Sequence, residues 1–414
     1  MALEEYFDIR CGVLAGYSGP GGAVTLPEGV KAVGRFAFHE CGTLSVVRLP
    51  EGLTEIGAFA FCGCGGLREV RLPQSLLTIG EFAFAGCHSL VKLSLSKGLR
   101  EIGDDAFSNC CLLSAAEIPS RVCAIGPRAF LGCSSLTALS VSPDNTRYFS
   151  SDGVLLDGCE KALLFCPAGR EGAFRVPEGV ETVEDYAFSG CAGLSEISFS
   201  TGLRRIGRAA FFGCTGLVRV VFPEGLREIG GFAFSGCSGL RRAKFSAGLE
   251  EIGGSAFSGC PGLERLELPE GLKRIGAGAF MHCTGLKQIA IPASAERIGD
   301  RAFSGCQALG GFDLSKANPY YEAADGVLLD RRTRTLIACP QGKKGSFAIP
   351  DGVKQIAPHA FENCAELERV SFPESLKCIG RGAFSNCGKL EAAAVPEEVI
   401  VEAGAFYGVC RGKP

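Results

Sequence analysis

Phenylalanine marks this chain at a fixed interval. Phe38, Phe61, Phe84, Phe107 and Phe130 stand 23 residues apart, each three residues ahead of a cysteine. A gap of 58 follows, and the series resumes from Phe188 to Phe303 in steps of 23. A second gap of 58 leads to Phe361, then Phe384, and Phe406 arrives one residue early. Each gap is a regular step plus one unit lengthened by 12, and the two long units are offset by 173. A length of 414 residues would by itself suggest two or three separate domains. A register kept from end to end overrules that and specifies a solenoid, in which each unit packs on the units before and after it.

One unit has two halves. The first reads Leu-x-x-aliphatic-x-aliphatic-Pro/Ser, as in "LREVRLP" (67–73) and "LERLELP" (263–269). Its alternation is that of a strand with one buried face, and the proline ends it because proline cannot donate to a ladder. The second half reads Leu-x-x-Ile-Gly-x-x-Ala-Phe-x-x-Cys: a second extended piece, a corner and one short helical turn. Ten units carry Ile-Gly at the corner, and glycine there is expected to supply a positive φ. Glu184 and Ala357 hold that position after the long units, so φ is negative at those two corners or the backbone is strained. No unit can close a core alone, so stacking must supply the stability. Strand ends from Pro27 to Pro396 count about sixteen coils.

"LPEGLTEIGAFAFCGCGGL" (49–67) and its copies resemble the BspA-like, or Treponema-type, leucine-rich repeat family over nearly the whole chain. The resemblance implies a curved leucine-rich repeat solenoid with a parallel β-sheet on the concave face and short extended or helical turns on the convex side. It also implies no enzymatic activity, and a role as a bacterial adhesin or another protein-binding surface, often exported. The start, "MALEEYFDIRCGVLAGY", lacks a basic segment followed by an apolar run, which departs from the exported members. The domain plan is a cap at 1–26, the solenoid at 27–396 and a degenerate repeat at 397–414. Hairpin insertions fall at about 145–170 and 318–343.

Thirteen of the 22 cysteines lie on the ruler. In the same phase of successive coils their Cβ vectors run parallel, which disfavours disulfides. They lack the paired spacing of a closed zinc site. The reading is a column of buried thiols donating weakly to the turn backbone. So many free thiols favour a reducing compartment, hence a cytoplasmic placement, with the cell surface as the alternative if a longer protein carries a leader. Cys11, Cys159 and Cys410 lie off the ladder and are expected at the surface.

"NTRYFSSDGVLLDGCEKALLFCPAGREGAFRVP" (145–177) matches "NPYYEAADGVLLDRRTRTLIACPQGKKGSFAIP" (318–350), and each reads as a β-hairpin on the outer side of the stack. Their Asp-Gly pairs lack the spacing of a calcium loop and suit turns. "YFDIRCGVLAGYSGPGGAVTLP" (6–27) reads as a shortened version that caps one end, and Arg411 and Lys413 blunt the other with charge.

Chemistry is thinly provided. The four histidines, His39, His88, His282 and His359, sit at four phases of the unit and are expected as exposed turn residues. No phosphate-cradling glycine loop occurs, and thirteen equivalent cysteines are architecture rather than one activated nucleophile. We therefore expect no catalytic, cofactor or metal site, no apolar membrane span and, at a net charge of −3, no general pull toward nucleic acid. What varies between coils is the polar pair on each strand. Arg219, Arg242, Lys244 and Arg265 lie on three consecutive coils with Arg241 beside them, a basic patch suited to an acidic segment of a protein partner. The expectation is a monomeric, non-catalytic protein-binding scaffold, with a surface adhesin or a self-associating spacer as alternatives.

Overall fold

The computed structural model describes residues 3–391 and 394–409. The chain is a β-solenoid of about 17 stacked coils spaced about 23 residues apart, with no α-helix among the described residues. It divides into two compact units, residues 1–172 with 180–194 and residues 173–179 with 195–414.

Each coil contributes two short strands. In the first unit Leu44–Arg48 pairs parallel with Glu69–Arg71, Val47 opposite Val70, so each side chain lies on its counterpart 23 residues on. The second half of each unit gives a two-residue strand, and Ala32–Val33, Glu55–Ile56, Thr78–Ile79, Glu101–Ile102 and Ala124–Ile125 form one parallel ladder. The second unit repeats this with Arg205–Ile206, Glu228–Ile229, Glu251–Ile252, Arg274–Ile275 and Arg297–Ile298. Within a single coil Leu53, Ile56, Ala60, Phe61, Cys64 and Leu67 are all fully buried. Burial of a side chain of this size contributes roughly 1.5–3 kcal/mol, and it needs both neighbouring coils. The ruler phenylalanines stack ring on ring: Phe61 and Phe84 are 5.0 Å apart at 3°, Phe234 and Phe257 5.2 Å apart at 4°.

The expected helical turn is instead a chain of tight turns. Cys62 donates to the Phe59 carbonyl at 3.1 Å and Cys64 to Phe61 at 3.1 Å, while the intervening Phe61 and Gly63 amides donate to the next coil, to Ala83 and Ala85. Phe59 and Gly63 have φ of 58° and 76°. A left-handed residue at every fourth position stops a helix from propagating, and the lateral bonds satisfy the amides it leaves.

Nor does the Ile-Gly glycine provide the positive φ. Its neighbour two residues on does so, even where it is Phe59, Phe82 or Phe232. The corner glycine is required by close approach: a Cβ on Gly80 would lie 2.7 Å from the Ala58 nitrogen, and one on Gly253 2.5 Å from the Gly231 nitrogen. Glu184 and Ala357 hold that position after the meanders. Neither has a positive φ, and the strand beneath each in the ladder is the extended third strand of a meander, Ala162–Phe165 or Thr335–Ala338, in place of a two-residue strand with its corner. The first of the two alternatives therefore holds, without strain.

The long units are three-stranded meanders. Tyr148–Ser151, Val154–Asp157 and Ala162–Phe165 pair antiparallel in the first unit, as do Tyr321–Ala324, Val327–Asp330 and Thr335–Ala338 in the second. They are not appended outside the stack. Both middle strands are buried throughout, and both third strands re-enter the parallel ladder, Leu163 opposite Val183 and Leu336 opposite Ile356. One asparagine fixes each start. Asn145 Nδ2 donates to the carbonyls of Pro119 and Val122, and its Oδ1 accepts the amides of Arg147 and Tyr148. Asn318 does the same with Pro292, Ala295, Tyr320 and Tyr321.

At the amino end Phe7–Arg10 pairs antiparallel with Val13–Tyr17, which joins the ladder at Ala32–Val33. At the other end Ile400–Val401 extends it from Cys378–Ile379, with Phe406 stacked 5.1 Å from Phe384. Cys410, Arg411 and Lys413 lie outside the described residues.

Candidate functional site

The basic strand face belongs to the second unit. Arg219–Val221 pairs parallel with Arg242–Lys244, which sets Arg219 opposite Arg242 and Val221 opposite Lys244. Like charges across a strand pair repel, and on its other side Arg219 lies opposite Glu196. Arg219 reaches Glu196 at 3.2 Å and Arg265 reaches Glu267 at 3.4 Å, both pairs exposed and weak. Arg241, Arg242 and Arg265 line one open groove of about 800 Å³ together with Glu264, Lys287 and the exposed Val218. Lys244 stands beside that groove, not in it. Lys287 and Val218 escaped the sequence reading because they occupy the loop side of the strand. Their signal was the same 23-residue phase as Arg241 and Glu264.

The cysteine column has a repeated hydrogen bond. Cys64, Cys110, Cys237 and Cys283 direct Sγ to the carbonyl of the phenylalanine 26 residues earlier, at 2.9, 3.3, 3.1 and 3.1 Å. Burial pushes the Cys64, Cys283 and Cys387 thiols up to about 12, so they stay protonated. Two column members have a second thiol nearby. Cys166 and Cys191 share the Pro167 carbonyl, and Cys339 and Cys364 the Pro340 carbonyl. Cys11 and Cys159 are exposed as expected, and so is Cys123.

Three histidines lie exposed at turns, whereas His359 is half-buried. Desolvation holds its pKa below 6.5, with Glu362 opposing and Arg301 assisting. The expectation of an exposed turn residue fails there because a long unit precedes it and lays a strand alongside. His88 and Cys111 form a close thiol–imidazole pair at 3.7 Å, but the His88 Nδ1 is 3.0 Å from the Asn109 carbonyl and therefore carries the proton. That nitrogen cannot act as a base toward Cys111. Among the described residues no three His, Cys, Asp or Glu side chains converge as a metal set, and no helix is long and apolar enough to cross a membrane.

A slot lies beneath each meander. In regular coils the phenylalanine amide donates to the alanine carbonyl one coil on; beneath the meanders Cys166 takes the Ala187 carbonyl at 2.7 Å, and Cys339 takes Ala360 at 2.8 Å. The corner column parts there. The first slot holds a cavity of about 290 Å³ between Ile125, Phe130, Leu155, Leu164, Phe165 and Tyr186. The second retains only about 40 Å³.

With the fold in place, comparison settles the family. The BspA type leucine rich repeat region matches in 6 copies, over residues 21–148, 181–310 and 341–411. The chain belongs to the BspA-type leucine-rich repeat family. No curated protein matches it. Among solved structures it is similar to a leucine-rich repeat protein from Bacteroides ovatus, at 24% identity and TM-score 0.54 over 94% of each chain. A leucine-rich repeat protein from Eubacterium ventriosum matches at 20% identity and TM-score 0.54, over 97% of this chain and 92% of that one. The pneumococcal vaccine antigen PcpA matches at 23% and TM-score 0.59, over 83% and 76%. At these identities the likeness is one of fold.

Proposed function

We propose that this BspA-type chain is a non-catalytic protein-binding scaffold that docks an acidic, partly apolar segment of a partner protein on the strand face of its second unit. One observation carries the reading: Arg241, Arg242 and Arg265 converge on a single open groove beside exposed Val218, with Arg219 set opposite Arg242. Charge complementarity of this kind steers association and fixes register, while the apolar contact adds affinity. A fluorescent Glu/Leu peptide is the probe. Its anisotropy should rise with the native chain at low salt and fall back at high salt. The quadruple variant Arg219→Glu, Arg242→Glu, Lys244→Glu, Arg265→Glu should lose the signal, and equal binding by that variant removes the groove from consideration.

The protonated thiol column and the exposed Cys11, Cys123 and Cys159 favour a reducing compartment, so we place the protein in the cytoplasm. Fractionation of native cells tests this, and recovery outside the cell would replace it with the surface-adhesin reading. Light scattering over a concentration series tests the monomer.

A further inference from the structure

We infer that the slot beneath the first meander binds a neutral, fused two-ring aromatic molecule that carries a carbonyl oxygen, because the coil below the slot presents backbone amides there that the fold leaves without an acceptor. The inference is independent of the groove on the second unit.

The amides come from the interrupted stack. Phe38, Phe61, Phe84 and Phe107 each donate to the alanine carbonyl of the next coil, at 2.7, 2.7, 2.7 and 2.8 Å. Two residues earlier Phe59, Phe82 and Asp105 donate in the same way to Glu81, Asp104 and Pro127, at 2.8, 2.8 and 3.0 Å. The meander stops both rows. Cys166 takes the Ala187 carbonyl that the repeat would give to Phe130. Neither the Phe130 nor the Arg128 amide donates to a protein group among the described residues. Phe130 is buried, and both residues line the slot. A buried amide without an acceptor is rare and costly, and these two face the place that the next coil fills elsewhere. The ring column breaks there too. Phe130 stacks on Phe107 at 12°, but toward the meander it meets Phe165 tilted at 43°.

The charges of the slot are already answered. Arg128 is held by Asp105 at 2.6 Å and Arg147 by Asp157 at 2.9 Å. Glu184 and Asp185 have partners of their own, the Tyr186 ring carries the Arg128 guanidinium at 5.7 Å, and Glu160 is exposed to water. A charged guest would shed its hydration and find no free counter-charge inside. What remains is the apolar wall of Ile125, Phe130, Leu155, Leu164 and Phe165 around the two amides. A cavity of about 290 Å³ is roughly twice the ~150 Å³ that takes up benzene in an engineered protein, which sets the size at two rings. The tilted phenylalanines suit an aromatic face, and a carbonyl oxygen supplies the acceptor that Ala187 gives to Cys166.

The second slot has the same vacant donors, Arg301 and Phe303, but no room. Arg301 Nη2 lies 2.6 Å from His359 Nδ1 and donates to Glu362 Oε1 at 3.1 Å. Ser304 donates to the other Glu362 oxygen at 3.3 Å, and Gln341 Nε2 donates to the Glu362 carbonyl at 2.6 Å. About 40 Å³ is left, too little for a ring. A shift of 173 residues puts Tyr186, Ser189 and Ala168 where the second slot has His359, Glu362 and Gln341, and Asp105 where it has Gly278.

The test uses the full chain and four molecules on one frame: 1-indanone, indane, 2-aminoindane and indane-2-carboxylate. Isothermal titration should give one site for 1-indanone, with each of the other three at least tenfold weaker. With ¹⁵N-labelled phenylalanine, the amide resonance that disappears in Phe130→Leu should move downfield with 1-indanone and stay in place with indane. Leu164→Trp fills the slot and should weaken 1-indanone at least tenfold. Should it fail to fold by circular dichroism, Asp105→Gly with Ala168→Gln and Ser189→Glu, which imports side chains of the second slot, replaces it with the same expected loss. The quadruple groove variant should bind 1-indanone as the native chain does; loss there would place the molecule in the groove and overturn the assignment. No binding at millimolar concentration, equal affinity for indane and 1-indanone, or unchanged binding by a folded slot variant would overturn it as well. So would displacement by acetyl-Gly-Trp-Gly-amide at equal or tighter affinity, which identifies the occupant as a side chain of another protein.

Discussion

Residues 145–177 and 318–350 fold into the same meander and are anchored by the same four asparagine bonds, yet the slots beneath them hold about 290 and about 40 Å³. The backbone work is common to both: the buried middle strand, the re-entry into the ladder, the cysteine amide taken by the alanine of the next coil. The difference lies in a handful of side chains at the corner, Asp105 against Gly278, Ala168 against Gln341, and Ser189 against Glu362. A solenoid unit that carries its stability in stacked repeats is free to change what it presents at such a break. Divergence between the two copies therefore shows in the slots, while their identity shows in the meander backbone.

The common part should be the most costly to disturb. Asn145→Ala and Asn318→Ala each strand two carbonyls and two amides in part-buried or buried surroundings, and each should destabilise by about 3 kcal/mol in denaturant titration. A loss confined to one of them would break the equivalence of the meanders. The corner glycines come next. Gly299→Ala places a methyl 2.4 Å from the Ala277 nitrogen and should cost about 2 kcal/mol. Ala357→Gly, at the corresponding position after the second meander, removes one methyl from a residue without a positive φ and should cost under about 1 kcal/mol. Equal effects would mean that close approach is not what selects glycine.

Smaller effects sharpen the contrast between the slots. Arg301→Ala breaks a half-exposed pair and should cost about 1 kcal/mol or less. Its stronger signature is in His359, whose pKa lies below 6.5 when folded. A depressed histidine makes the unfolded chain bind more protons in that window, so its contribution is complete above pH 6.5 and is lost as pH falls through the folded value. Removing the Arg301 charge should raise the His359 midpoint in an NMR titration and narrow that window. The smallest expected effect is on the thiols. With a thiol reagent at pH 8, Cys11, Cys123 and Cys159 should react in the native state. The pairs Cys166/Cys191 and Cys339/Cys364 should stay silent alike until unfolding. Early reaction at the first pair alone would mean that the cavity admits the reagent to the core.

Much of the fold was legible because repetition tests each inference many times over. The strand phase, the stacked phenylalanines and the buried thiols all follow from one period. Where the reading failed, a residue type had two physical causes. Glycine after isoleucine suggested a positive φ, but the constraint at Gly80 and Gly253 is the backbone of the neighbouring coil. The positive φ fell instead on positions filled by Phe59 or Tyr186, whose bulk gives no hint of it. His359 looked like its exposed counterparts because the strand that half-buries it is brought by a non-repeating segment. The slots were hidden for the same reason. Aligning the long units shows which side chains differ, but only the diverted Cys166 and Cys339 amides reveal that a gap opens there.

Each meander hands the ladder on in register, Leu163 to Val183 and Leu336 to Ile356. A segment that departs from the period and rejoins it without a phase error leaves the two-residue ladder continuous beyond it. Genetic copying or deletion of a 173-residue block would then preserve the register of the ladder. Size becomes something a lineage can adjust by recombination, and every new copy arrives with a spare slot that selection can reshape.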